Sequence, residues 1–176
     1  MIAYGVYGDT ARADNDHQVI LQFDWQMLRD AARPLSQRAP HHNGVRAEAR
    51  YFFYTGNTTY GVQNLCYNAA GGEWLLAVYR GKKPSFPNYD LFVIDGTLPP
   101  RKGELVGLAG EEGLLLTAKE EGRYFPWGTT GLHALGDGYF YISHEASEKT
   151  DVRRYSAKVH LYRRAEGESV PFVAVK

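Results

Sequence analysis

Cysteine is nearly missing from this chain. The single one, Cys66, cannot form an intrachain disulfide, which removes disulfide-stapled scaffolds from consideration and favours a cytoplasmic compartment. Cys66 lies in the strand-like run Val62–Cys66 and reads as a buried, inert thiol rather than a nucleophile. An excess of charge is missing too. Lys plus Arg number 20 and Asp plus Glu number 20, so no basic footprint for nucleic acid is present. The short basic pieces Arg80–Lys83 and Arg163–Arg164 read as loops and solvated faces. Nowhere do about 18 apolar residues follow one another, so no helical membrane span is expected. Met1–Tyr7 has no basic leader and does not read as a signal peptide.

Motifs of well-defined chemistry are equally scarce. The six histidines do not form the spacings of a zinc site, and His41–His42 sits in a loop without ligand partners. No nucleophile elbow and no phosphate loop occur. Glu111–Glu112 and Glu120–Glu121 are adjacent in sequence, so on a strand they point to opposite faces and do not make a two-carboxylate site. Asp9, Asp14, Asn15 and Asp16 are the densest oxygen ligands, but they do not match a calcium loop and read as a polar connection. No cofactor and no metal is called for.

What the chain does have is aromatic residues, turn residues and apolar runs. Aromatics make up 14%, with 13 Tyr against 8 Phe, a composition that favours strands and half-wet surfaces. Nineteen Gly and eight Pro supply many turns. Trp74, Leu76 and Val78 alternate with Leu75, Ala77 and Tyr79, and both sets are largely apolar. That pattern predicts a strand in a sheet covered on both faces.

Internal similarity follows from comparing three segments. Ile2–Thr10 (IAYGVYGDT) and Gln18–Asp24 (QVILQFD) form a strand, a polar loop and a second strand. Trp74–Lys82 (WLLAVYRGK) and Asn88–Asp95 (NYDLFVID) do the same, as do Gly138–His144 (GYFYISH) and Ser156–Arg163 (SAKVHLYR). The run Arg50–Leu65 (RYFFYTGNTTYGVQNL) resembles Arg123–Leu135 (RYFPWGTTGLHAL), and each precedes the next copy. The period is roughly 70 residues, which suits four antiparallel strands per unit. In the middle unit the strands are expected near 61–67, 73–80 and 88–95, with an outer strand from 104–109 or 113–119.

This unit resembles the blades of β-propellers in general. The resemblance implies an all-β chain, a partial propeller-like array of about two and a half units, near 1–24, 50–119 and 121–176. A helical insertion falls at 25–49, with Trp25, Leu28 and Ala32 at helical spacing before Pro34. The array starts mid-unit on the apolar strand Ile2–Val6. It is therefore expected either to be part of a longer chain or to be completed as a homo-oligomer, because an uncovered strand invites pairing. Val170–Val175 is expected to close a sheet with the N-terminal segment.

Candidate site residues come from equivalent positions in the units. Gln63 and His133 are polar positions within apolar first strands; they either face a shared channel or hydrogen-bond neighbouring strands. Arg80 and His144 end the second strands, as anion binders or as solvated strand ends. Tyr60 and Trp127 flank the repeated Thr58–Thr59 and Thr129–Thr130 pairs, which stabilise a turn or line a sugar site. Three functions follow from these positions. One is a small polar or carbohydrate-like ligand bound without catalysis. A second is part of a propeller-type glycosidase or lyase, and a third is a self-associating structural module.

Overall fold

The computed structural model describes residues 2–3, 11–12, 14, 16–56, 58–129, 131–149 and 153–176, and all of their side chains except those of 2, 3, 58–60 and 149. Among these residues the fold is mainly β, in three small sheets with one short helix.

The central sheet is the meander β4 (Thr58–Asn68), β5 (Glu73–Arg80) and β6 (Leu91–Asp95). Leu75, Leu76, Ala77 and Val78 are all fully buried, because both faces of this sheet are covered, as the apolar run predicts. Leu75, Ala77, Leu91 and Val93 join Cys66 against Phe125, Leu132, Phe140, Ile142, Tyr162 and Phe172. Leu76, Val78, Phe92 and Ile94 join Val62 against Phe53, with Ile20, Leu65 and Leu116 packed beside them. The register of β4 on β5 jumps from Val62↔Val78 to Asn64↔Ala77. Gln63 is the extra residue of this bulge, and the bulge lets Val62 and Leu65 share a face.

On one side of the central sheet lies a second meander, β9 (Leu132–Ala134), β10 (Tyr139–Lys149), β11 (Arg153–Arg164) and β12 (Phe172–Ala174). We call it the third sheet. On the other side lies the first sheet, of β1 (Ile2–Ala3), β2 (His17–Gln22), β3 (Ala49–Tyr54), β8 (Glu112–Leu115) and β7 (Arg101–Glu104), in the order β1-β2-β3-β8-β7. All pairs are antiparallel except β3 with β8, which run parallel.

Several expectations need correction. The segment 104–109 is not an outer strand of the middle unit. The β7–β8 hairpin adds to the first sheet instead, because Tyr51 and Phe52 offer a free edge to Leu114 and Leu115. The chain then crosses layers, and 117–123 runs antiparallel along β6 through the bridges Ile94↔Ala118 and Leu91↔Arg123. Among the described residues the C-terminal strand does not pair with the N-terminal one: β12 pairs with β11, and β1 with β2. The expected loop after His144 is a hairpin arm, in which β10 and β11 pair without interruption from Tyr139↔Arg163 to Lys149↔Arg153. Its outer part is exposed on both faces and is held by backbone pairing. No sheet closes or curls into a ring among the described residues.

The helix α1 (Trp25–Asp30) forms where the spacing predicts it, with Asp24 Oδ1 accepting from the Met27 N–H at 2.7 Å as an N-cap. It buries none of its residues, and Trp25 is 74% exposed. No helix is long and apolar enough to cross a membrane among the described residues.

Candidate functional site

The chain enters the third sheet through a tight turn. Gly128 adopts a φ of 95°, a left-handed conformation that glycine reaches without strain. The Asn64 side chain reaches from β4 and donates to the carbonyls of Gly128 and Thr129, each at 2.7 Å. This fixes the preceding residue, Trp127, against the core shared by the central and third sheets.

His144 stacks on Trp127 with ring centroids 3.9 Å apart and planes 8° from parallel. Tyr162 and His160 of β11 complete the cluster. The Tyr162 hydroxyl lies 2.8 Å from His144 Nε2, a hydrogen bond whose direction follows the imidazole tautomer. The His160 ring is 4.2 Å from His144 by centroid. Alternation explains this set: His144, His160 and Tyr162 share the face of β10 and β11 that carries Phe140 and Ile142. Burial, and then the neighbouring His160 charge, push the His144 imidazole below its ordinary value, so it is neutral at pH 7. Burial also pushes the Tyr162 phenol up. The result is a layered stack of the Trp127, His144 and His160 rings with a polar edge at the Tyr162 hydroxyl. Among the described residues no group of three His, Cys, Asp or Glu side chains is placed to hold a metal ion.

The other sequence candidates lie apart from this stack. Arg80 donates to Asp90 Oδ2 at 2.6 and 3.1 Å and covers the Tyr124 ring at 4.9 Å. Its charge is thus paired with Asp90, and His144 sits within its strand rather than at its end. Gln63 is exposed on the bulge of β4. His133 is opposite Tyr141 on the outward face of the third sheet, whereas the stack lies on the inward face. The Tyr60 and Thr58–Thr59 side chains, Thr130, Asp9 and Asn15 lie outside the described residues. Cys66 is buried, its Sγ accepting from the Ala134 N–H at 3.1 Å, and burial pushes the thiol up.

A second polar constellation corrects the reading of Arg164 as part of a solvated face: Arg164 is buried in β11. Glu73, fully buried at the start of β5, accepts from Arg164 Nε at 3.0 Å and from Asn68 Nδ2 at 2.9 Å. Arg164 also donates to Glu120 at 2.6 Å and to the Pro171 carbonyl at 3.0 Å. Lys119 Nζ stands 3.3 Å from Glu73 Oε2 as an ion pair, and that oxygen has no hydrogen bond. Burial pushes the Glu73 carboxyl up, but the bonds from Arg164 and Asn68 and the charges of Arg164 and Lys119 outweigh it and hold it below the ordinary range. Glu120 is likewise held low: burial is outweighed by Arg123 and Arg164. This network ties the central sheet to the third, and its members are too far apart in sequence for any spacing rule to join them. Comparison with known protein families, with curated proteins and with solved structures finds no match.

Proposed function

We propose that this chain is a ligand-binding module of β-propeller type that holds a small polar or carbohydrate-like molecule at Trp127, His144 and Tyr162. The observation that carries this reading is the parallel, face-to-face Trp127–His144 stack, edged by the Tyr162 hydroxyl and the exposed His160. Sugars present apolar C–H faces to aromatic rings and hydroxyls to polar edges, and this surface offers both. A neutral imidazole beside a phenol donates and accepts without the desolvation cost of a charge.

The propeller-type reading has support in the chain path. The central meander gains a fourth line of chain at 117–123, and the third sheet is a four-strand meander. Of the similar runs, Arg50–Leu65 leads from β3 of the first sheet into β4, and Arg123–Leu135 leads from the line of chain beside β6 into β9. The central sheet packs between the first and third sheets.

A second reading, a self-associating module, is favoured by the outward face of the third sheet. Tyr141 and Val159 there are 48% and 65% exposed, and Tyr155 on the arm is 77% exposed.

Titration calorimetry with a panel of monosaccharides and polyols tests the first reading. We expect heat with at least one glycan and a loss of tenfold or more in affinity for Trp127→Ala, about 1.4 kcal/mol, with a similar loss for His144→Ala. Absence of heat with every glycan overturns it. A mass in solution above that of one chain supports the second reading.

A further inference from the structure

The two covers of the central sheet do not fit it equally well. Against the third sheet, the side chains of Leu75, Ala77, Leu91 and Val93 are completely enclosed. Against the first sheet, the layers part and leave a cavity of about 460 Å³. Strand register tells which side chains face it. Trp74 lies opposite Ile94, and Leu65 opposite Leu76, so Trp74, Ile94 and Leu65 share the face turned to the first sheet. Ile20 lies opposite Tyr51 and packs on that same core, so Ile20 and Tyr51 look back across the gap, and Leu116 packs beside them. All of these residues line the cavity.

One charged residue, Asp95, belongs to the lining, and its side chain points elsewhere. Asp95 lies opposite Glu73, on the face turned to the third sheet. Its carboxylate is occupied there by the Thr97 N–H at 2.9 Å, the Thr97 hydroxyl at 2.5 Å and the Leu98 N–H. The side chains facing the cavity are therefore neutral. Polarity is confined to one place at the mouth. The Tyr51 hydroxyl donates to Gln22 Oε1 at 2.6 Å, and Gln22 Nε2 donates to Glu48 Oε2 at 3.4 Å. These bonds leave the Tyr51 oxygen as an acceptor and the second N–H of the Gln22 amide as a donor.

We propose that this cavity is a separate binding site for a small neutral molecule with an apolar ring and one hydroxyl, the ring against Trp74, Ile94 and Leu116 and the hydroxyl at Tyr51 and Gln22. Its volume falls in the range of small-molecule sites, and apolar walls with a few placed polar groups are what such sites require. Ile20, Leu65 and Leu116 pack on the core yet stay half-buried, so a ring entering the cavity removes their remaining surface from water. One hydroxyl both donates and accepts, which matches the Tyr51 oxygen and the Gln22 N–H together. A carboxylate or an ammonium would lose hydration here and meet no opposite charge on the walls.

Methyl-detected NMR on the whole chain tests this, with benzyl alcohol as the probe. Toluene keeps the ring without the hydroxyl, and benzoate and benzylamine carry the two signs of charge. Benzyl alcohol is expected to shift the methyl signals of Ile20, Leu65 and Leu116 and the Trp74 indole N–H saturably at millimolar concentration. Benzoate and benzylamine should each bind at least about tenfold more weakly. Tyr51→Phe removes only the hydroxyl. It should weaken benzyl alcohol about threefold to tenfold, the effect of one hydrogen bond, and leave toluene unchanged. Leu116→Phe, which fills the cavity, should abolish the shifts from both. Three results overturn the proposal: no saturable shifts with benzyl alcohol, a charged analogue that binds as tightly, or a Tyr51→Phe variant in which alcohol and toluene change alike. The reporting groups lie between the first and central sheets, so this outcome is read independently of sugar binding at Trp127.

Discussion

The central sheet meets two neighbours, and it meets them differently. Toward the third sheet, apolar side chains interlock and a buried ionic network closes the Glu73 end. Toward the first sheet, the packing centres on Phe53 and opens into a cavity, and the opposite end carries a separate buried pair, Lys83 with Asp16. The same strands supply both faces. What differs is the partner: the third sheet arrives as a regular four-strand meander, whereas the first is extended by the β7–β8 hairpin through one parallel pairing. A sheet alone does not guarantee a close cover; the volumes facing it must match as well.

That comparison is breakable by mutation. The largest effect is expected at the closed junction. Phe140→Ala, at a fully buried position, should cost about 3–5 kcal/mol in a denaturant titration. Arg164→Ala should approach the same loss, about 3–5 kcal/mol, because it leaves Glu73 buried without its main partner. A loss below about 1 kcal/mol for either variant would mean that the closed junction is not where stability resides.

The ionic network also sets a pH dependence. Glu73 and Glu120 are held below their ordinary value of 4.5. A carboxyl with a lowered folded value contributes stability that is complete above the unfolded value and is lost as pH falls through the folded one. Stability should therefore hold from neutral pH down to about 5 and fall below about 4.5. In Arg164→Met that acid limb should flatten. An unchanged limb in the variant would separate the network from the acid sensitivity.

A smaller effect comes from Gly71. A Cβ there would lie 2.9 Å from Asn68 Nδ2 and 3.0 Å from Glu73 Cδ, so Gly71→Ala should cost about 1–3 kcal/mol through overpacking. The most direct contrast pairs Leu75→Ala with Leu65→Ala. Leu75 is enclosed against the third sheet and should lose about 2–5 kcal/mol, while Leu65 already borders empty space and should lose about 1 kcal/mol. Equal losses would erase the distinction between the two covers. On the outward face of the third sheet, Tyr141→Ala should change stability by no more than about 0.5 kcal/mol.

Parts of this architecture are legible in the chain itself. The central strand β5 is readable because four successive apolar residues fit only a sheet covered twice. The helix at Trp25 is readable from Trp25, Leu28 and Ala32 at helical spacing and from Pro34 beyond them. The arm is not readable, because the polar stretches 145–149 and 153–157 resemble a loop. They remain strands because each pairs with the other along its length. The candidate site was half visible. Trp127 and His144 are each singled out by position, but Trp127 by its place beside the Thr-Thr pair and His144 by its match to Arg80. Their stacking on one another, and the presence of Tyr162 and His160, depend on register between β10 and β11.

The sequence by itself determined an all-β chain with turns at its glycines, a doubly covered middle strand, and a lone thiol without a disulfide. Those properties are local: periodicity, propensity and counting decide them. Only the tertiary structure decided that Glu73 meets Arg164, that 112–115 joins one sheet while 117–123 runs along another, and that the first two layers part around a cavity. Each of these depends on how separate strands settle side by side. The energies that choose among such arrangements arise from volume matching and charge pairing between residues far apart in the chain, where sequence spacing carries no information.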